Sequence, residues 1–333
     1  MSSILRRTRS PRSLLAVLTV LALLGTTACG GVDLSKQNFQ RTTVPVRPAG
    51  GQATAPAGPI DDPAVSLRSL RSVAPCGLLG GKVLGQLGKP ATPEPQGWSQ
   101  CHSDITDPGG KTISVLLTIG KNLAVDAEEA TGGVGGLPLL VSKQDDKTCF
   151  VTAMTSKKPA IGITAQIGYE GGRPCDAGKE VIGGVVNRLH ASPPKLTKVP
   201  GSLARVAPCS VVDGALVAEV IGDGAKAVPI GLHVCQWRGE KPTLRVGYRI
   251  GYQPDDSGGQ KVDLGRGVTG YTERVIDTSS TCTVSWMHLP TGDRTGEIVT
   301  VDYDNYAAKP EADKPCEKVV KVAKNIVTQL PRP

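Results

Sequence analysis

Apolar residues near the end of the chain fall at helical spacing. Val319, Val320, Ala323, Ile326, Val327 and Leu330 form one stripe of the segment from Cys316 to Leu330, with Lys318, Lys321 and Lys324 outside it. The same pattern follows Cys175, in Val181, Ile182, Val185, Val186 and Leu189. Each predicts an amphipathic helix with one buried side. Ahead of each helix the period shortens to two. T-I-S-V-L-L-T-I at 112–119 and T-L-R-V-G-Y-R-I at 243–250 place β-branched residues at alternate positions, as do T-C-F-V-T-A-M at 148–154 and T-C-T-V-S-W-M at 281–287. Further strands are predicted around Trp98–His102 and His233–Trp237, and at I-G-I-T-A-Q-I-G-Y and E-I-V-T-V-D-Y. Consecutive strands joined by short turns imply antiparallel sheets. Before them, C-G-L-L-G-G-K-V-L-G-Q-L-G from Cys76 and C-S-V-V-D-G-A-L-V-A-E-V-I-G from Cys209 predict a short helix with a proline, Pro75 or Pro208, near its first turn.

Every element therefore occurs twice, and the cysteines keep the same frame. Cys76, Cys101, Cys149 and Cys175 are separated by 25, 48 and 26 residues; Cys209, Cys235, Cys282 and Cys316 by 26, 47 and 34. The expected fold is α+β: two tandem homologous domains, each an antiparallel sheet packed by an N-terminal and a C-terminal helix. Repeat one is assigned to 66–190, a proline-rich linker to 191–200 and repeat two to 201–333, ordinary domain sizes. Four cysteines allow three pairings in each repeat, and spacing does not choose among them. First with second and third with fourth is favoured, because each bond would staple a helix N-terminus to a strand of the sheet beneath it.

The N-terminus changes the picture of where the chain works. Arg6, Arg7, Arg9 and Arg12 precede an apolar run from Leu14 to Leu24, the order of an export signal, and the run is shorter than the roughly 20 residues that span a bilayer. Thr26-Thr27-Ala28-Cys29-Gly30 resembles a lipobox, with Thr26 in place of the usual aliphatic residue. Residues 1–28 are accordingly read as a lipoprotein signal peptide and Cys29 as the lipidated residue, a membrane anchor of two acyl chains. Removing the signal, with four arginines and no acidic residue, lowers the formal charge from +8 to about +4. What remains is too mild and scattered for nucleic acid. Residues 29–65, rich in Pro, Gly and Thr, are expected to be a disordered tether with a reach of roughly 30 to 35 Å. The expected location is extracytoplasmic, on the outer face of the cell membrane, where cysteines oxidise.

These residues resemble a family of secreted actinobacterial lipoproteins carrying a cysteine-rich domain of unknown function, here in two copies. The resemblance rests on Pro75-Cys76 and Pro208-Cys209 before a helix, C-x-W at Cys235–Trp237, the strand cysteines Cys149 and Cys282, and P-C opening the final helix. Repeat one departs from it: Trp98 precedes Cys101 by three positions and is expected on the other side of the strand. Such domains look somewhat like the extracellular sensor modules of mycobacterial kinases, which implies ligand perception rather than catalysis.

Motifs for chemistry are weak. Asp255-Asp256-Ser257-Gly258-Gly259 approaches a serine-protease string without its leading glycine, and is expected to be a polar hairpin loop. No cysteine pair is close enough for a compact metal site, and His102 and His233 adjoin cysteines expected to be oxidised. Asp302 and Asp304 share a strand face without a calcium loop around them. Gly132–Gly136 lacks phosphate-loop spacing and is expected to be a flexible connection. No cofactor is indicated. The aromatic residues are unevenly shared: repeat one has Trp98, Phe150 and Tyr169, repeat two has seven, which are expected to fill the second core or, at the candidate binding residues Trp237, Tyr248, Tyr252 and Tyr303, to form a ligand or partner face. The expectation is a non-enzymatic, lipid-anchored module that binds a cell-wall component, small molecule or envelope protein. A secreted enzyme would instead show clustered, perturbed ionisable groups, and a structural or assembly lipoprotein a flat apolar patch.

Overall fold

The computed structural model describes residues 55–123, 129–257, 259–276, 279–307 and 310–333. The signal, Cys29 and the tether as far as residue 54 lie outside the described residues. Repeat one opens with short helices α1 (Leu67–Leu70), α2 (Pro75–Leu78) and α3 (Gly81–Leu84), followed by strands β1 (Lys89–Pro90), β2 (Glu94–Pro95), β3 (Gln100–Thr106), β4 (Thr112–Asn122), β5 (Gly132–Val134), β6 (Leu137–Lys143), β7 (Thr148–Lys157) and β8 (Ala160–Tyr169), and closes with helix α4 (Pro174–Ala191). Repeat two has α5 (Gly214–Ile221), β9 (Lys226–Pro229), β10 (Val234–Arg238), β11 (Pro242–Tyr252), β12 (Gln260–Asp263), β13 (Thr269–Ile276), β14 (Ser280–Pro290), β15 (Thr295–Asn305), α6 (Pro310–Asp313) and α7 (Pro315–Gln329). The sheet orders are β1-β3-β4-β8-β7-β6-β5, with β2 paired to β3 as an extra strand, and β9-β10-β11-β15-β14-β13-β12, all antiparallel and in matching order.

The alternation read from the sequence is the alternation of the sheets. Ile113, Val115, Leu117 and Ile119 of β4, and Leu244, Val246 and Tyr248 of β11, point to the helix side and are buried. Over them lie α4 and α7, each opened by a proline at its first turn and an acidic residue, Asp176 or Glu317, which suits the positive end of the helix dipole. The disulfides are Cys76–Cys101, Cys149–Cys175, Cys209–Cys235 and Cys282–Cys316, so each repeat carries two and each long helix is fastened at its N-terminus to a central strand. Closing a loop of this length contributes about 3 kcal/mol in the chain-entropy model.

Several local expectations are corrected. The N-terminal helix of repeat one is broken in two at Gly80, which serves as the N-cap of α3. In repeat two Pro208–Ser210 is only a 3-10 turn; the helix starts after Asp213, whose carboxylate accepts from Ala215 N at 2.8 Å. Gly132–Gly136 is no flexible connection but a two-residue hairpin: Val134 pairs with Leu137, and Gly135 and Gly136 both have positive φ, 53° and 85°. Residues 55–65 pack on repeat one rather than extending the tether, with Val65 in its core and Asp62 Oδ2 2.7 Å from His190 Nε2. The linker too is sewn down, Ala74 N donating to Pro194 O and Leu196 N to Ser72 O, both at 2.9 Å.

Trp98 is not in a strand at all. It precedes β3 and packs against the core of repeat two, its ring centroid 5.0 Å from that of His233. Leu232, the residue at the matching place three positions before the second cysteine of repeat two, does the reverse: it is 3% exposed and belongs to the core of repeat one. Gly120 makes room for it, since a Cβ there would stand 2.3 Å from Leu232 Cγ. The repeats thus exchange side chains at equivalent positions and belong to one compact unit. Leu232→Ala should destabilise the protein by about 2–5 kcal/mol, with the loss of amide protection concentrated in β4 of repeat one; a cost confined to repeat two in urea denaturation and hydrogen exchange would contradict the exchange.

Candidate functional site

Three of the four candidate aromatic residues are inside. Trp237 and Tyr248 are each 4% exposed and Tyr303 is fully buried, all in the core of repeat two; Tyr252 alone stands out, at 77%. They therefore form no common surface. Tyr303 is held by a polar cluster: its hydroxyl donates to Asp313 Oδ1 at 3.1 Å and accepts from Lys318 Nζ at 2.8 Å, and Lys318 Nζ lies 4.6 Å from the ring centroid. Burial pushes the Tyr303 phenol up. Burial also opposes ionisation of Asp313, but its bonds from Lys318 and Tyr303 outweigh it and hold the carboxyl below the usual range. The cluster explains how a tyrosine and an aspartate can be buried; it does not open to a cleft.

A cleft of about 510 Å³ lies in repeat one, between α4 and the β5–β6 hairpin. Its walls are Lys179, Glu180 and Asn187 of α4 and the backbone of Gly132 and Gly133, and Leu139 and Val141 form an apolar floor. Two features of sequence make it. Helix α4 is centred over β7 and β8 and leaves the hairpin overhanging. Gly183 and Gly184 then remove two side chains from the helix face: a Cβ on Gly183 meets nothing within 4 Å, while one on Gly184 would press on Val83 Cγ1 at 2.9 Å. The corresponding residues of repeat two, counted from the helix cysteine, are Lys324 and Asn325. There the hairpin turn is also longer, Leu264 is buried in the core, and Arg266 Nη1 donates to Thr328 O on α7 at 3.3 Å. The second copy of the cleft is narrowed by these two residues, and a smaller cavity of about 350 Å³ remains beside them, lined among others by Arg266, Val268, Val327 and Leu330.

A size of about 510 Å³ and a mixed lining are those of a small-molecule or peptide site. The comparisons with known proteins add no ligand. No family model and no curated protein matches the chain. Among solved structures it is similar to MucB in complex with the periplasmic part of MucA, at 12% identity over 67% of this chain and 86% of that one, with a TM-score of 0.16. The MucA/MucB complex of Pseudomonas aeruginosa stands at 13% identity over 67% and 86% of the two chains, with a TM-score of 0.16. DynU16, from the dynemicin biosynthetic locus, stands at 12% over 82% and 96%, with a TM-score of 0.17. Likenesses at that level fix no function.

Another cavity, about 390 Å³, lies between the repeats, lined among others by Trp98, Ile119, Leu232, His233, Tyr248 and Ile250. His233 is structural. Its Nε2 donates to Ala204 O at 2.8 Å, and burial pushes its pKa down to about 4, so the ring is neutral. The remaining sequence candidates are spent locally. Asp302 accepts from Arg245 Nε at 3.0 Å and Thr283 Oγ1 at 2.8 Å, and Asp304 from Thr281 Oγ1 at 3.0 Å. His102 Nε2 is 3.0 Å from Ser114 Oγ, and Ser257 N donates to Asp255 Oδ1 at 3.0 Å in a polar turn. No group of His, Cys, Asp and Glu suited to a metal occurs among the described residues.

Two tests follow from these environments. His233 titrates near 6.5 when unfolded and near 4 when folded, so the unfolded chain binds the extra proton. Its contribution is complete above pH 6.5 and should fall by about 3 kcal/mol as pH drops through 4; His233→Gln should flatten that part of the urea-stability profile. Gly183→Ala should stabilise the protein by about 1 kcal/mol, since the methyl enters open space on a helix, whereas Gly184→Ala should cost stability against Val83, both read from thermal unfolding.

Proposed function

We propose that this chain is a non-enzymatic, lipid-anchored envelope protein, a tandem form of the cysteine-rich lipoprotein domain it resembles, and that its first repeat binds a ligand or partner while the second serves as a frame. The observation that carries this reading is the internal contrast: one architecture built twice, with the cleft between the long helix and the edge hairpin about 510 Å³ and glycine-lined in repeat one, and narrowed by Leu264 and the Arg266 bond to α7 in repeat two. Two copies folded alike give each other a control, and the open cleft is where they differ in accessible chemistry. Four disulfides agree with an oxidising, extracytoplasmic compartment. Cys29 supplies the anchor, and the residues that follow it carry the repeats away from the membrane.

Gly183→Leu fills the cleft without leaving the helix vocabulary. Wild-type protein exposed to solubilised envelope and then washed should retain a component visible by native mass spectrometry, and Gly183→Leu, equally folded by circular dichroism, should not. Equal retention by the two proteins, or none by either, would count against the cleft. For the anchor, Cys29→Ala should abolish incorporation of a clickable palmitate analogue and release the protein to the medium; an unlabelled wild-type protein would remove the lipid from the reading.

A further inference from the structure

The chemistry of the open cleft narrows its occupant, on the reading that this cleft is the binding site. Among the described residues strand β5 is the edge of its sheet and pairs with β6 alone. Gly133 stands opposite Pro138, which has no N–H, so this pair cannot exchange ladder bonds. In the antiparallel alternation the N–H and C=O of Gly133 therefore point away from β6, toward the free edge. Natural edges are guarded by charge, by proline facing outward or by a covering element. The matching edge of repeat two, β12, carries Lys261 and Asp263, and its turn is latched to α7 by Arg266. Strand β5 carries only Gly132, Gly133 and Val134, which leave the backbone bare. Facing it across the cleft are Glu180 and Asn187, whose side chains have no partner among the described residues, and Lys179, 4.0 Å from Asp176. Backbone groups on one wall, an unpaired carboxylate, an amide and a loosely paired lysine on the other and an apolar floor at Leu139 and Val141 match a polyamide chain better than a hydrocarbon or a sugar.

We propose that the cleft takes an extended, all-L segment of a partner protein as an added strand along β5. Gly133 supplies the backbone hydrogen bonds, the floor receives one inward side chain, and Lys179, Glu180 and Asn187 meet polar groups on the segment. This is recognition by strand addition between a sheet edge and a helix. The missing side chain of Gly183, where a Cβ meets nothing within 4 Å, gives the cleft width.

The test uses the disulfide-intact, two-repeat protein and a displayed library of seven-residue all-L peptides; a selected peptide is then titrated into nitrogen-15-labelled protein. The Gly133 amide should be among the most shifted signals, with its hydrogen exchange slowed about tenfold or more. Gly133→Pro removes the outward N–H but no ladder donor, and should weaken binding about tenfold, the value of one hydrogen bond of about 1.4 kcal/mol. Should that variant not fold, N-methylation of successive peptide nitrogens replaces it, with a similar loss expected at the position that pairs with Gly133. Undiminished binding by Gly133→Pro and by every N-methylated peptide would overturn strand addition, as would shifts confined to repeat two. If no peptide is selected yet an envelope component is still retained in a Gly183→Leu-sensitive way, the peptide assignment is overturned and the cleft survives; loss of both results overturns the cleft as well.

Discussion

The bond between Cys149 and Cys175, with its copy between Cys282 and Cys316, sets the geometry on which the rest depends. It fastens the first turn of the long helix to a central strand, so the helix must run across the middle of the sheet. A helix about 10 Å wide covers roughly two strands spaced 4.7–4.9 Å apart. The outer hairpin is then left without a roof unless its own turn supplies one. Whether a repeat has a cleft is thus decided by the hairpin turn and by the side chains on the near side of the helix, while the disulfide frame stays the same.

Duplication made that choice twice. In repeat two a buried leucine, an arginine latch and full-sized residues on α7 narrow the gap, and the uncovered face of the sheet is tied by Thr283, Asp302 and Arg245. In repeat one, glycine replaces bulk on both sides of the gap. Helix glycines weaken a helix, and α4 tolerates Gly178, Gly183 and Gly184 because its start is fixed covalently and its valines and leucine are buried on the sheet. Stability is held by the disulfide and the core, so the exposed side of the helix is free to serve binding.

Much of this was legible in the chain. The repeated cysteines, the two amphipathic helices and the alternating strands gave the α+β plan and the number of disulfides. The core placement of most repeat-two aromatic residues has a signal in the chain: Trp237 lies two positions from Cys235, and Trp286 four from Cys282, so each shares the face of a cysteine that reaches up to a helix or turn. Tyr248 follows Leu244 and Val246 on the same inward side. Other features had little local signature. Strands of two to four residues, such as β1, β5 and β12, are too short to show a period, and glycine-rich composition hides a turn whose two positive φ angles Gly-Gly supplies cheaply. The cleft itself is a property of coverage, set by where a helix lies over a sheet, and its one trace in sequence is Gly183-Gly184 against Lys324-Asn325.

The exchange of Trp98 and Leu232 has a further consequence. Equivalent positions plugging one another's cores make a contact of the isologous kind, the kind that relates two subunits by a two-fold axis. Here the partners are joined by a linker that is itself pinned to repeat one, so the contact is intramolecular and its occupancy does not depend on how much protein is present. Identical subunits would have to offer the same residue from both sides. A single chain is released from that symmetry, and can seat an indole in one socket and an isobutyl group in the other.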